Sequence, residues 1–170
     1  IGSQLTDISP FVEAMQHLLV LIDQLSDCGI ELQHIDIGGG LGVCYQDEVV
    51  PSLDTYMASL LPLLQDRHHT PIMEPGRSIV ANAGVLLTQV QVIKSNGDKN
   101  FAIVDAAMND MLRPALYNAW MALSPTDNRS DITTTSYDVV GPVCETGDFL
   151  GKDRTLAITE GDYLFLSSAG

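Results

Sequence analysis

Between Phe11 and Leu25 the apolar positions Phe11, Met15, Leu18, Ile22 and Leu25 recur at spacings of four, three, four and three, which gathers them on one face of an α-helix. Ser9-Pro10 puts a hydroxyl at the capping position and a proline at the first helical residue, where a missing N–H does no harm, and Gly29 supplies the stop. Residues 30–37 are apolar and β-branched and run into Gly38-Gly39-Gly40-Leu41-Gly42, which predicts a buried strand ending in a tight turn. Ser52 opens a second helix with Leu53, Met57, Leu60 and Leu64 on one side, and Pro62 is expected to kink or split it. A second short strand is expected at residues 71–74.

Strands alternating with helices predict a parallel sheet built from right-handed crossovers. A closed (β/α)8 barrel takes roughly 200 residues or more, so this stretch is expected to be the C-terminal part of a barrel whose N-terminal half lies outside the 170 residues. After Gly84 the period changes to 2. Residues 85–94 alternate along a strand, Asn96-Gly97 signals a hairpin, and residues 101–105 form the returning strand. Residues 108–121 are expected to hold a short helical turn around Pro114, 124–135 a polar loop, and 137–143 and 162–168 further strands. The fold class is therefore α/β plus β. Residues 1–83 are expected as a partial (β/α) barrel and 84–170 as a mostly antiparallel β-domain, incomplete at its C-terminus.

Composition narrows the partners. Mean hydropathy is +0.14 and 45% of residues are hydrophobic, enough for a packed core. With 22 Asp and Glu against 8 Lys and Arg, the formal charge of −14 offers no basic face to a nucleic-acid backbone or an anionic membrane. Apolar runs are far shorter than the roughly 20 residues of a membrane span. Cys28, Cys44 and Cys144 are too scattered for a disulfide framework or a zinc site, so a cytoplasmic protein without a metal is expected.

Two places can carry chemistry in the first half. The glycines at 38–42 end a strand, where backbone N–H groups can turn toward a phosphate, although a plain tight turn would use the same residues. Glu74-Pro75-Gly76-Arg77 ends the next strand on the same rim. Its two charges could simply pair, or Glu74 could hold a proton on a pyridine nitrogen and make that ring an electron sink. In the second half, Arg113 is a fork for a carboxylate or a solvated cation, and Cys144 a small buried hydrophobe or a proton donor. His17, His34, His68 and His69 lack ligand spacing, and Asp127, Asp131, Asp148, Asp153 and Asp162 are expected as solvated loop charges.

Taken in order, Ile1-Gly2-Ser3-Gln4, IDIGGGLG at 35–42, EPGRSIVANAGVLL at 74–87, FAIVDAAMNDMLRPALY at 101–117, DVVGPVCETGDFLGKDR at 138–154 and the closing SSAG resemble the type III fold pyridoxal-phosphate-dependent decarboxylases. That resemblance implies the alanine racemase-like architecture, a cofactor-binding (β/α)8 barrel followed by a β-domain. It also implies a homodimer with shared sites, the cofactor pyridoxal 5'-phosphate and a small amino-acid substrate. By the same resemblance Ser3, Gly38, Gly39, Gly40, Glu74, Gly76 and Arg77 are expected to bind the cofactor, with Glu74 on the pyridinium nitrogen. Arg77, Arg113 and Tyr117 would bind the substrate carboxylate, Cys144 would be the general acid, and Glu145 would hold the far ammonium, in the partner's site. The Arg113 to Tyr117 stretch and a glutamate rather than an aspartate after Cys144 are most similar to the branch that converts meso-2,6-diaminopimelate to L-lysine and carbon dioxide. An ornithine- or arginine-type decarboxylase and a non-catalytic relative are the alternatives. The family's Schiff-base lysine has no counterpart, since Lys94, Lys99 and Lys152 stand in other motifs; this stretch alone is expected to be inactive. A ring-stacking histidine before Ile1 and a tyrosine after Gly170 would lie outside it. Cys44 stands where many relatives have proline, with no function attached.

Overall fold

A computed structural model describes all residues 1–170 and divides them into two compact units, Ile1–Val80 and Ala81–Gly170. No helix is long and apolar enough to cross a membrane.

The first unit contains α1 (Ser9–Asp27), β1 (His34–Asp36), α2 (Leu53–Leu64), β2 (Thr70–Ile72) and α3 (Gly76–Val80). β1 and β2 pair in parallel, and α2 lies in the crossover that such a pairing needs. Helix α1 starts one residue earlier than the sequence pattern implies. Ile8 takes the cap position, and Asp7 receives the backbone N–H of Ser9 at 2.9 Å, so Ser9 is a helical residue rather than the cap. The C-terminus follows expectation: Gly29 adopts φ +80°, and the N–H groups of Gly29 and Ile30 bond back to Ser26 and Leu25. The face of α1 buried most deeply is Phe11, Met15, Leu19 and Ile22, with Leu18 only partly covered. It packs on Ile35, Tyr56, Leu60 and Leu64, and Phe11 meets Tyr56 edge to face at 5.0 Å. In α2 the Ser52 hydroxyl accepts from the Thr55 N–H at 3.1 Å, the expected cap. Tyr56 rather than Leu53 faces inward, and Pro62 does not split the helix, which runs unbroken to Leu64 with only the last turn beyond the missing N–H. The strands are shorter than the apolar runs, three residues each.

The second unit opens with a 3-10 turn at Ala81–Ala83 and continues with β3 (Val85–Asn96), β4 (Lys99–Val104), α4 (Leu112–Tyr117), β5 (Leu123–Pro125), β6 (Thr135–Val140), β7 (Phe149–Leu156) and β8 (Tyr163–Ser167). They form one six-stranded sheet in the order β5-β8-β3-β4-β6-β7. All neighbours are antiparallel except β4 and β6, and the end strands β5 and β7 touch, so the sheet curls toward closure. Its core includes Val90, Ala102, Val104, Met121, Val139, Leu150, Leu164 and Leu166. β5 occupies the start of the stretch expected as a polar loop. β7 has no counterpart in the sequence reading, because Gly151, Lys152, Asp153 and Arg154 resemble a loop. Gly151 is there for space. A Cβ on it would lie 2.7 Å from Nε of Arg154, whose guanidinium crosses the strand and stacks over Trp120 at 4.7 Å.

Candidate functional site

β1 ends at Asp36, and the backbone then turns at Gly38, which has φ +70° and donates its N–H to Oδ1 of Asp36 at 2.8 Å. The Glu74 N–H bonds the Gly38 carbonyl at 2.9 Å, strapping together the loops that follow the two strands. A Cβ on Gly39 would lie 2.1 Å from the Glu74 carbonyl oxygen, and one on Gly40, at φ +102°, 2.5 Å from the Ile1 carbonyl oxygen. Glycine is thus compulsory here by backbone packing. Residues 1–5 run beside this loop through Leu5 N–H to Gly40 at 2.9 Å and Gly42 N–H to Leu5 at 2.9 Å.

The same strip collects the polar groups. Arg77 donates through Nη1 to Oε1 of Gln4 and through Nη2 to Oγ of Ser3, both at 2.9 Å, and lies 6.0 Å from the Tyr45 ring. Arg77 therefore bonds neutral oxygens and not Glu74, so the alternative of a simple Glu74–Arg77 pair falls away. Glu74 is exposed on the rim. Gly76 starts α3, with open space where a Cβ would be. Gln4, which the sequence reading assigned no role, is the keystone: at φ +56° it also donates Nε2 to the Val43 carbonyl at 2.5 Å and accepts the Val43 N–H at 3.1 Å. A glycine loop whose Gly39 and Gly40 N–H groups carry no bond within the chain, a guanidinium and an exposed carboxylate form a donor set that fits an anionic phosphate and a basic ring nitrogen. Pyridoxal phosphate has both.

In the second unit, α4 presents Arg113 and Tyr117 one turn apart, with the half-buried guanidinium 5.8 Å from the tyrosine ring. Cys144 is exposed, which removes the buried-hydrophobe alternative. Beside it, the exposed Glu145 folds back on its own turn, accepting from the Thr146 hydroxyl at 3.1 Å and the Gly147 N–H at 3.4 Å.

Asp148 overturns its expectation as a solvated loop charge, being only 3% exposed. Its Oδ1 accepts the Met108 N–H at 2.6 Å and its Oδ2 the Val143 N–H at 2.9 Å. Asp162 departs as well, half-buried and bonded to Arg129 and to the Thr159 N–H. No pattern in the sequence marks Asp148, a single aspartate between a glycine and a strand.

The model of the family described as "Pyridoxal-dependent decarboxylase, C-terminal sheet domain" matches residues 12–170. The chain is 56% identical to diaminopimelate decarboxylase of Pseudomonas fluorescens over 170 residues and 54% identical to that of Neisseria meningitidis, covering all of this chain and 41% of each relative. It therefore spans about two fifths of the length of the relatives it matches. Among solved structures, it superposes with a TM-score of 0.91 on diaminopimelate decarboxylase from Helicobacter pylori complexed with L-lysine, at 44% identity over all of this chain and 42% of that one. A lysine/ornithine decarboxylase from Vibrio vulnificus complexed with cadaverine gives 0.88 at 23% identity, over all of this chain and 46% of that one, a likeness of fold alone.

Proposed function

Because this chain belongs to the pyridoxal-dependent decarboxylases, through the C-terminal sheet domain of that family, we propose that the protein carrying it converts meso-2,6-diaminopimelate to L-lysine and carbon dioxide. The observation that carries this reading is the turn that presents an exposed thiol and an exposed carboxylate side by side, Cys144 and Glu145, in a chain this similar to named diaminopimelate decarboxylases. On the same reading β1, α2 and β2 are the last part of a (β/α)8 barrel, and two copies form a dimer in which Glu145 serves the partner's site. Free cysteines at 28, 44 and 144 suit a reducing compartment, the cytoplasm.

The free N–H groups of Gly39 and Gly40, in the turn that Gly38 opens, the Ser3 hydroxyl and the Gly76–Arg77 segment would hold the phosphate end of the cofactor, and Glu74 would keep its ring nitrogen protonated. When bound, pyridoxal phosphate would supply an electron sink for the carbon that loses carbon dioxide. Arg77, Arg113 and Tyr117 bind substrate carboxylate, where a guanidinium fork fixes orientation as well as charge. Cys144 gives its thiol proton to the carbon that lost the carboxyl group, and the thiolate recovers a proton from water. Glu145 leaves the Thr146 hydroxyl to meet the ammonium at the far end of the substrate. A substrate lacking that ammonium leaves Glu145 unmatched, which sets specificity.

The test is turnover by the full-length protein supplied with pyridoxal phosphate. Lysine and carbon dioxide should form in equal amounts from meso-diaminopimelate, with ornithine and arginine at least about a hundredfold poorer by kcat/KM. Consumption of ornithine without formation of lysine would overturn the assignment.

A further inference from the structure

We propose that Asp148 is a positioning residue that aims the Cys144–Glu145 turn, by tying it through two backbone N–H groups to the segment that leads into α4. This inference rests on the roles given above to Cys144 and Glu145.

The two oxygens of Asp148 have separate tasks. Oδ2 takes the N–H of Val143, the residue immediately before the thiol, at 2.9 Å. Oδ1 takes the N–H of Met108 at 2.6 Å, five residues before Arg113. Backbone bonds complete the knot: the Asp148 N–H reaches the Glu145 carbonyl at 3.1 Å, the Asp148 carbonyl accepts from Gly141 at 3.1 Å, and the Glu145 N–H closes a tight turn on Val143 at 2.8 Å. A carboxylate so buried is expensive unless each oxygen is satisfied, and here N–H groups do that without a cation. Gly141 shows that the space is reserved. A Cβ there would lie 2.4 Å from Oδ2 of Asp148 and 2.7 Å from the Ala106 carbonyl oxygen, at a backbone conformation that any residue adopts. The glycine is thus explained by close packing against both the carboxylate and the Ala106–Ala107 backbone, and not by a turn.

The geometry makes the carboxylate the link between two pieces of chain that sequence holds far apart. Without it, the Val143–Glu145 turn keeps its local backbone bonds and loses its anchor to the Met108 segment. A thiol that delivers one proton to one face of a carbon is sensitive to such looseness in a way that folding is not.

Asp148→Asn and Asp148→Ala in the full-length protein test this. Asparagine keeps the size but must turn an NH2 group toward one of the two N–H donors, so it also serves if the alanine variant does not fold. The first measurement needs no cofactor. Amide exchange at Met108 and Val143 should accelerate roughly tenfold or more, while Ala102 and Val139 in the sheet stay as protected as in the unaltered protein. The second is turnover of meso-diaminopimelate in heavy water. The unaltered enzyme should place deuterium on one face of the decarboxylated carbon. The Asp148 variants should lose roughly tenfold or more in kcat with a smaller change in KM and deliver label to both faces. Single-faced labelling, with kcat lowered only in proportion to the folded fraction, would overturn the proposal. A Cys144→Ala control separates the two levels: normal rate and single-faced labelling there would sink the role of Cys144 and this proposal with it, whereas a defect there and none in the Asp148 variants sinks this proposal alone.

Discussion

At the scale of single residues, Arg113 and Arg77 show how the same side chain is held in two ways. Arg77 is fixed by Ser3 and Gln4, both neutral, which leaves its charge uncompensated on the rim. Arg113 is held by its helix, half-buried and set over Tyr117. A charge-assisted contact of a buried guanidinium with substrate carboxylate is worth about 1.5–3 kcal/mol, so Arg113→Ala should lower kcat/KM for diaminopimelate roughly tenfold to a hundredfold. Affinity for pyridoxal phosphate should hold, and Arg113→Lys should restore little, because a point charge does not replace the fork. Steady-state kinetics alongside a cofactor titration would check this. Unchanged kinetics would leave Arg113 a packing residue of α4.

Among the elements, the β3–β4 hairpin gives the clearest test. Asn96 pairs with Lys99, so the loop is Gly97-Asp98, one residue later than the Asn96-Gly97 signal implies. Of the two loop residues only Gly97 has positive φ, +61°, which is the type II′ pattern. Gly97→Ala should therefore destabilise by about 1 kcal/mol without touching activity, read as a lower Tm with unaltered kcat/KM. Elements with a strong local signature were legible beforehand: α1 from its apolar spacing and Gly29, α2 from its Ser52 cap, and β3 from alternation and a turn glycine. β7 was not, because its charges serve contacts made only in the folded state. Asp153 donates its N–H to the Asp138 carboxylate at 2.9 Å, and Arg154 spends its charge on an indole face. The candidate site divides the same way. Cys144, Glu145, Arg113 and Glu74 are visible as residue types in motifs, whereas Gln4 and Asp148 act by bonding backbone far away in sequence, which no spacing reveals.

For the whole molecule, the balance of charge governs the response to pH. Burial pushes the Asp138 carboxyl up, but the Lys99 ammonium at 2.9 Å and the Asp153 N–H outweigh it and hold it below the usual carboxylate range. The Thr88 hydroxyl at 2.6 Å, and then the Gln89 N–H, lower Asp105 likewise. A carboxyl with a folded value below its unfolded one stabilises above the unfolded value, about 3.9, and loses that contribution as pH falls through the folded value. At neutral pH the charge of −14 works against compactness, and partial protonation relieves it. Tm should accordingly rise slightly on mild acidification and fall below about pH 4, with added salt raising it at pH 7. Asp138→Asn should lower Tm at pH 7 and flatten the acid limb. An acid limb as steep as that of the unaltered protein would show that Asp138 does not contribute to it.

The parallel pairing of β4 with β6 imposes an order of events on assembly. β3 and β4 are joined by two residues, and a hairpin of that kind closes in about 1–10 μs. β6 can take its place only after the chain has left β4 at Val104, travelled through α4 and β5 and come back at Thr135, a closure whose entropic cost must be met before any contact rewards it. Arg113 and Tyr117 ride on that excursion, and Cys144 and Glu145 come just after its return. When the hairpin closes, these four residues are still to be placed, so the chemistry waits on the long closure and not on the short one.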